Sequence, residues 1–207
     1  DIIEALSNSG ESKRYQERLF MPPGHFYSPI VDVDSLKPKF PAKRQAPPPA
    51  LPDVDIDINA MTRLWDDKLA PVISSAPFPE QPDGKHRYHF RNPAYSFGDA
   101  LVLRSMILNN RPKRIVEVGS GWSSACTLDT VFDEAKLDTE ITFIEPYPKV
   151  LRSIMREGDE SRVNIIESIV QDVPLSFFDQ LEANDILLID STHVVKTGSD
   201  VVHELTQ

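Results

Sequence analysis

The chain has 207 residues, of which 40% are hydrophobic and 26% are charged, and its formal net charge is -10 at pH 7. This size and composition are typical of one α/β core with additional structure. The negative charge argues against a surface that binds nucleic acid or an anionic membrane, and no apolar run approaches the roughly 18 residues that cross a bilayer. The single cysteine excludes an internal disulfide and fits a reducing compartment, so we predict a cytoplasmic protein.

The first 94 residues are rich in proline and contain little regular periodicity. Residues 1–18 are polar and predict a frayed helix or a poorly ordered arm. Residues 37–52 are proline-rich and predict a polyproline-like spacer, with a partner-binding segment as the alternative. We therefore predict an irregular N-terminal extension over residues 1–94 and a second domain over residues 95–207.

Two helices are predicted before the second domain begins its regular pattern. Residues 59–73 place apolar side chains at three- and four-residue spacings, which predicts a short amphipathic helix. Residues 96–109 predict a stronger helix, with Ser96 as its N-cap, Asp99 in the capping-box position and Pro112 just beyond its end. Between them, residues 87–91 (RYHFR) either line an acceptor site or form an extended segment that covers the core.

From Arg114 onward, apolar strands alternate with helical segments. Four strands are predicted, over residues 114–118, 141–145, 163–168 and 185–190. The pattern predicts an α/β fold of the Rossmann-like type, a doubly wound parallel sheet in a three-layer α/β/α arrangement. In such a sheet a ligand binds beyond the carboxyl ends of the strands.

The stretch RIVEVGSGWSS over residues 114–124 predicts a buried strand that turns tightly into a helix. Gly119 permits a turn that a side chain would block, and Gly121 lets the main chain approach a ligand. Glu117 is an acid near the end of a core strand, which is costly unless a partner such as a ligand ammonium group compensates it. Glu145 ends the second strand, where a carboxylate can accept both hydroxyls of a ribose.

The motifs EVGSGWSS, ITFIEP and ILLIDSTH together resemble the class I S-adenosylmethionine-dependent methyltransferases. The resemblance is closest to small-molecule O-methyltransferases, including those that act on sugars, and it covers roughly residues 95–204. It implies S-adenosylmethionine as cofactor, with Tyr95 to Phe97 at the mouth of its site. The cofactor-binding residues that it implies are Glu117, Gly119, Ser120, Gly121, Ser123, Glu145, Asp172 and Asp190. In this set Glu145 binds the ribose, Asp172 contacts the adenine, and the residues around the glycine turn hold the methionine part.

The Asp190-Ser191-Thr192-His193 segment places a carboxylate and an imidazole just past a central strand. A similar arrangement in metal-dependent sugar O-methyltransferases implies Asp190 as a magnesium ligand and His193 as the general base. Magnesium prefers six oxygen ligands, so Asp190 cannot hold the ion alone. The alternative interpretation, in which Asp190 caps a loop and His193 is a surface histidine, stays open.

The leading hypothesis is methyl transfer from S-adenosylmethionine to an oxygen of a small polar or sugar-like acceptor. A nicotinamide-dependent oxidoreductase is the weaker alternative, because Ser124 replaces the last glycine of the dinucleotide fingerprint and Glu117 would repel a pyrophosphate. A non-enzymatic binding module with a degenerate site is the third hypothesis. The chain lacks an initiator Met and stops soon after the fourth strand, so we expect a fragment, with its oligomeric state and its own activity left open.

Overall fold

The computed structural model describes residues 21–22, 24–32 and 57–206. The predicted arm and the proline-rich spacer lie outside these residues. Residues 57–191 form one compact unit, and the described residues of 21–32 and 192–206 form another. The predicted domain boundary between residues 94 and 95 falls inside the larger unit and stays a prediction.

The larger unit is built on four parallel strands, and this confirms the predicted fold class. The strands are β1 (Arg114–Val118), β2 (Glu140–Ile144), β3 (Val163–Ile166) and β4 (Ile186–Ile189). Their spatial order is β3-β2-β1-β4, so the chain winds outward from β1 to β3 and then returns to the opposite side of β1. The winding direction reverses between β1 and β4, which creates a crevice at their carboxyl ends.

Helical segments alternate with the strands along the chain, and α-helices occur in both regions where helices are predicted, residues 59–73 and 96–109. The α-helices are α1 (Ile58–Leu64), α2 (Ala70–Ile73), α3 (Phe97–Asn110), α4 (Trp122–Leu128), α5 (Lys149–Ile154) and α6 (Asp200–Thr206). Two π-helical segments, Trp65–Leu69 and Asp129–Glu134, continue α1 and α4, and three 3-10 segments cover Asp159–Arg162, Val170–Asp172 and Leu175–Gln180. No helix in the described part of the chain is long and apolar enough to cross a membrane.

Ser96 precedes α3 as predicted, but its side chain does not cap the helix in the predicted way. Its Oγ donates to the carboxylate of Asp99 at 2.6 Å and makes no capping bond to a backbone N–H. At the other end, Arg111 adopts a left-handed conformation with φ 45° and donates its N–H to the carbonyl of Ile107. This C-terminal cap ends α3 immediately before Pro112.

Two apolar clusters lie in the larger unit, and β1 contributes to both. Ile115 belongs to the cluster that includes Ala125 and Cys126 of α4, whereas Val116 and Val118 belong to the other. Because successive side chains of a strand point to opposite faces, Glu117 lies on the same face as Ile115. The sheet therefore carries the Glu117 carboxylate beneath α4.

A buried guanidinium fixes the segment that precedes α3. Arg87 binds Asp159 through two hydrogen bonds of 2.7 Å, and its Nη1 donates to Asp129 and Asp133 at 2.8 Å. The other oxygen of Asp129 accepts the backbone N–H groups of Arg87 and Tyr88. Burial alone would lower the pKa of Arg87, but the bonds to Asp159 and Asp129 outweigh burial and raise it. Residues 87 and 88 are thus anchored to the helical layer.

Candidate functional site

The ends of three strands lie level at one edge of the sheet. Val118, the last residue of β1, is in register with the last residues of both β2 and β4. The backbone N–H of Gly119 donates to the carbonyl of Ile144 at 3.0 Å, and that of Asp190 donates to the carbonyl of Val118 at 2.9 Å. Gly119, Glu145 and Asp190, which directly follow these strands, are therefore brought together at the switch point.

The two glycines of the turn meet different surroundings. Gly119 has φ +80°, and a Cβ added to it would lie 2.1 Å from the carbonyl oxygen of Asp190. This glycine is needed for the approach of protein backbone at the end of β4. At Gly121, the only described heavy atom within 4 Å of an added Cβ is Val150 Cγ1, at 3.7 Å. The open side of the turn, where a ligand can approach the main chain, is therefore at Gly121.

Glu117 has no exposed surface, and hydroxyl groups of α4 surround its carboxylate. Its Oε1 accepts hydrogen bonds from Ser123 at 2.8 Å and Ser124 at 2.6 Å, and its Oε2 has a longer contact of 3.4 Å with the Thr127 hydroxyl. Burial raises the pKa of Glu117 to about 7 even though these hydroxyls act to lower it, and the negative charge of Asp190 adds to the rise. The contact predicted between Glu117 and a ligand ammonium group stays a prediction.

Sequence reasoning missed the protein partners of Glu117, although a signal for them exists. Positions 123, 124 and 127 have the three- and four-residue spacing of one helix face, and all three carry hydroxyls. Ser124 has a second role, because its Oγ accepts the backbone N–H of Gly121 at 3.0 Å. A chain of hydrogen bonds therefore runs from the turn through Ser124 to Glu117. A glycine at position 124 would lack this link.

Glu145 joins the tip of β2 to the glycine turn. Its Oε2 accepts the backbone N–H of Ser120 at 3.1 Å, and its Oε1 accepts that of Tyr147 at 2.8 Å. An ionised carboxylate has about four acceptor positions, so each oxygen retains capacity for one more donor. The side-chain Oγ of Ser120 is buried and has no hydrogen-bond partner among the described residues. Such a group is costly, by roughly 1–3 kcal/mol, unless a ligand or water satisfies it.

The phenol of Tyr95 is affected by the charges of Asp190 and Glu117. Burial raises the pKa of its phenol far above the ordinary range, and the negative charges of Asp190 and Glu117 raise it further. The structure thus brings Tyr95 near two of the predicted acids. Asp172 is an exposed residue of the 3-10 segment after β3, the strand farthest from β4 in the sheet.

Asp190 and His193 fall in different compact units, at 53–191 and 192–207 respectively. Asp190 is half-buried, whereas His193 is exposed and has φ 59°. Next to His193, the N–H and the hydroxyl of Thr192 donate to Asp200 at 2.9 and 2.6 Å, which ties this loop to the start of α6. Among the described residues, no group of three or more His, Cys, Asp or Glu side chains is arranged to hold a metal ion. The residues present therefore do not fit the predicted magnesium site.

The segment of residues 87–91, predicted either to line an acceptor site or to cover the core, contains a buried histidine. His89 is 9% exposed, and its ring packs edge-on against Trp122 with 4.9 Å between the ring centroids. Its Nδ1 is buried without a hydrogen-bond partner among the described residues. Trp122 directly follows Gly121, so this imidazole packs against the residue next to the glycine turn.

The chain is similar to a protein family, to a protein of known sequence and to a solved structure. A family model described as a methyltransferase domain matches residues 116–206. A protein of Archaeoglobus fulgidus described only as uncharacterized is 33% identical over 186 residues, which cover 86% of this chain and 80% of that protein. A crystal structure of an SAH-bound methyltransferase from Podospora anserina aligns with a TM-score of 0.40 and 22% identity, over 67% of this chain and 61% of that chain. The family match begins within β1 and includes the glycine turn.

Proposed function

We propose that this chain, in which residues 116–206 match a methyltransferase-domain family model, is a class I S-adenosylmethionine-dependent methyltransferase that methylates an oxygen of a small polar or sugar-like acceptor. The observation that carries the cofactor assignment is the hydrogen bond between Glu145 and the backbone of Ser120. This bond brings the carboxylate of Glu145 beside the glycine turn, which supports the proposed role of Glu145 in binding the ribose diol. The proposal that the acceptor is methylated on an oxygen depends on the segment from Asp190 to His193, where a carboxylate and an imidazole follow β4 in the chain.

The residues at the switch point fit the chemical groups of S-adenosylmethionine. The acceptor capacity that Glu145 retains suits the two ribose hydroxyls, and the unpartnered hydroxyl of Ser120 suits a polar group of the aminoacyl part. The open side of Gly121 allows the main chain to come close to the cofactor. When bound, S-adenosylmethionine supplies an electrophilic methyl group on a sulfonium. The contribution of the chain is to bind and orient the reactants.

The three acids have separate roles in this proposal. Glu117 acts on the protein side, since its hydrogen bond from Ser124 holds the N–H of Gly121 in place. Glu145 binds the ribose, and the half-buried Asp190 adds negative charge at the same edge, which favours a cationic methyl donor. Ser123 supports Glu117 directly, and Asp172 is the proposed contact for the adenine.

His193 is the proposed general base for the acceptor hydroxyl. A hydroxyl must lose its proton as its oxygen takes the methyl group, and a neutral imidazole nitrogen can accept that proton. What supports this role is the exposure of His193 and its place three residues after Asp190. We derive no step through magnesium, because the described residues do not provide its ligand set. We also infer a cytoplasmic protein whose partner is a small molecule, from the net charge of -10 and the single cysteine.

Titration calorimetry with S-adenosylhomocysteine and with NAD tests the proposal. We expect binding of S-adenosylhomocysteine only. Binding of NAD alone would favour an oxidoreductase, and binding of neither would favour a non-enzymatic module.

A Glu145→Gln variant tests the ribose contact in the same experiment. It removes acceptor capacity at the tip of β2, and we expect about tenfold weaker binding of S-adenosylhomocysteine. Glu140→Gln is the matched control, because this exposed residue begins the same strand at its opposite end. Equal affinities of the two variants would contradict the assignment of Glu145 to the ribose.

A further inference from the structure

The imidazole of His89 is buried without the hydrogen bond that a buried polar group normally makes. Its ring nitrogen Nδ1 has no partner among the described residues, and the side chain is only 9% exposed. A buried donor or acceptor without a partner loses its hydration and gains nothing in return. Native proteins keep few such groups, and each one calls for an explanation.

The backbone around His89 is held by hydrogen bonds on both sides of the residue. Asn92 Nδ2 donates to the carbonyl of His89 at 2.8 Å. On the other side, the N–H groups of Arg87 and Tyr88 both donate to the buried carboxylate of Asp129. The imidazole is therefore presented by a fixed segment, as a ligand-binding group is expected to be.

The position of the ring associates it with the glycine turn. His89 packs against Trp122 with 4.9 Å between ring centroids and an interplanar angle of 75°. Trp122 and Ser120 flank Gly121 in the chain, and the Ser120 hydroxyl is a second buried polar group without a hydrogen-bond partner in the described part of the chain. Two polar groups that lack hydrogen bonds, His89 Nδ1 and Ser120 Oγ, therefore lie at or against residues 120–122, although they are distant in the sequence.

We propose that His89 binds the carboxylate at the aminoacyl end of the cofactor, with Nδ1–H as the donor and the Ser120 hydroxyl as a second donor. The proposal rests on the function proposed above. In the proposed function Glu145 binds the ribose and Asp190 favours the cationic groups of the cofactor, and neither of these carboxylates can donate to the carboxylate of the cofactor. The unpartnered imidazole and hydroxyl can both donate, and a hydrogen bond to a charged acceptor is among the stronger kinds. His89 is then a cofactor-binding residue outside the glycine motif.

The test compares two ligands and two variants. His89→Phe preserves an aromatic ring against Trp122 and removes both nitrogens. We expect it to bind S-adenosylhomocysteine about tenfold more weakly than the unaltered chain, and to bind the decarboxylated analogue with unchanged affinity. His86→Phe is the control, because it makes the same chemical change three residues away, at a side chain paired with Asp83, and should leave both affinities unchanged. Equal losses for the two ligands, or no loss for either, would overturn the role of His89.

Stability of the ligand-free protein separates this role from a structural one. His89→Phe removes a buried unsatisfied nitrogen, so its melting temperature should equal or exceed that of the unaltered chain. A lower melting temperature together with equal losses for both ligands would show that His89 serves packing, which contradicts the proposal.

Nitrogen NMR of the unaltered chain gives a readout that needs no variant. The His89 Nδ1 resonance should shift on addition of S-adenosylhomocysteine and not on addition of the decarboxylated analogue. The same shift with both ligands, or no shift with either, overturns the proposal even if His89→Phe fails to fold. If the unaltered chain does not bind S-adenosylhomocysteine, the proposed function itself fails. If it binds and only the His89 comparisons fail, the proposed function stands without this contact.

Discussion

Replacing Glu117 by glutamine should remove most of one pH-dependent contribution to stability. Burial raises the pKa of this carboxyl from 4.5, its ordinary value, to about 7. Between these two values the folded state holds a proton that the unfolded state has released. Stability from this group is therefore fully present below about pH 4.5 and is lost as the pH rises through about 7. A rise of this size, at about 1.4 kcal/mol per pH unit, corresponds to about 3 kcal/mol.

The glutamine variant preserves the local hydrogen bonds while it removes the titration. Its carbonyl oxygen can accept from Ser123 and Ser124 as Oε1 does, and the Thr127 hydroxyl can reverse and accept from the amide. We therefore expect Glu117→Gln to gain about 3 kcal/mol in unfolding free energy relative to the unaltered chain between about pH 4 and about pH 8. Other titrating groups occur in both proteins, so they largely cancel in this comparison.

Urea unfolding followed by tryptophan fluorescence measures the effect, at several values between about pH 4 and about pH 8. Glu140→Gln is the control, since this exposed carboxylate should leave the profile of the unaltered chain unchanged. If the unfolding free energies of the unaltered chain and of Glu117→Gln changed with pH in the same way, the predicted pKa effect of burial would be wrong. This result would mean that burial does not raise the pKa of Glu117, and that its ionised form is as stable inside the protein as in water.

Three further substitutions test the glycine turn and the ion pairs of Arg87. Gly119→Ala should cost about 2 kcal/mol or more in urea unfolding, because its methyl group would overlap the Asp190 carbonyl at a positive φ. Gly121→Ala should change the unfolding free energy by no more than about 1 kcal/mol and should weaken binding of S-adenosylhomocysteine. A larger loss of stability than in Gly119→Ala would contradict the assignment of the open side of the turn to Gly121. Arg87→Leu should cost about 3–5 kcal/mol, because it removes the guanidinium that binds the buried Asp159 and Asp129, while Arg156 lies 3.6 Å from Asp129. Although burial acts to raise it, the hydrogen bond from Arg87 lowers the pKa of Asp159, so the loss should shrink as the pH falls and this carboxylate is protonated. A loss under about 1 kcal/mol in thermal or urea unfolding would show that the network contributes little.

The four strands, and the sheet edge that their carboxyl ends share, could be predicted because both follow from short apolar runs in the sequence. Four apolar runs define four parallel strands, and in a parallel sheet their carboxyl ends share one edge. Two of the predicted strands end at Glu145 and Asp190, so the place of these two residues at that edge needed no further information. Long-range pairing was beyond this reasoning, since Arg87 lies 42 and 72 residues from its partners Asp129 and Asp159. Nothing in the sequence near Arg87 indicates which carboxylates will surround it.

The hydrogen-bond partners of the buried acid of β1 could not be predicted from the strand that carries it. An acid at that position does require compensation, and the sequence interpretation assigned this to a ligand. In the structure, hydroxyls on one face of α4 donate to this carboxylate, although they do not offset the burial that raises its pKa. Their direction depends on how α4 packs over β1. Ser124 also accepts the N–H of Gly121, so the same hydroxyl links the acid to the turn. Hydrogen bonds within the turn reduce the conformational freedom that a ligand would have to remove, and this lowers the cost of binding.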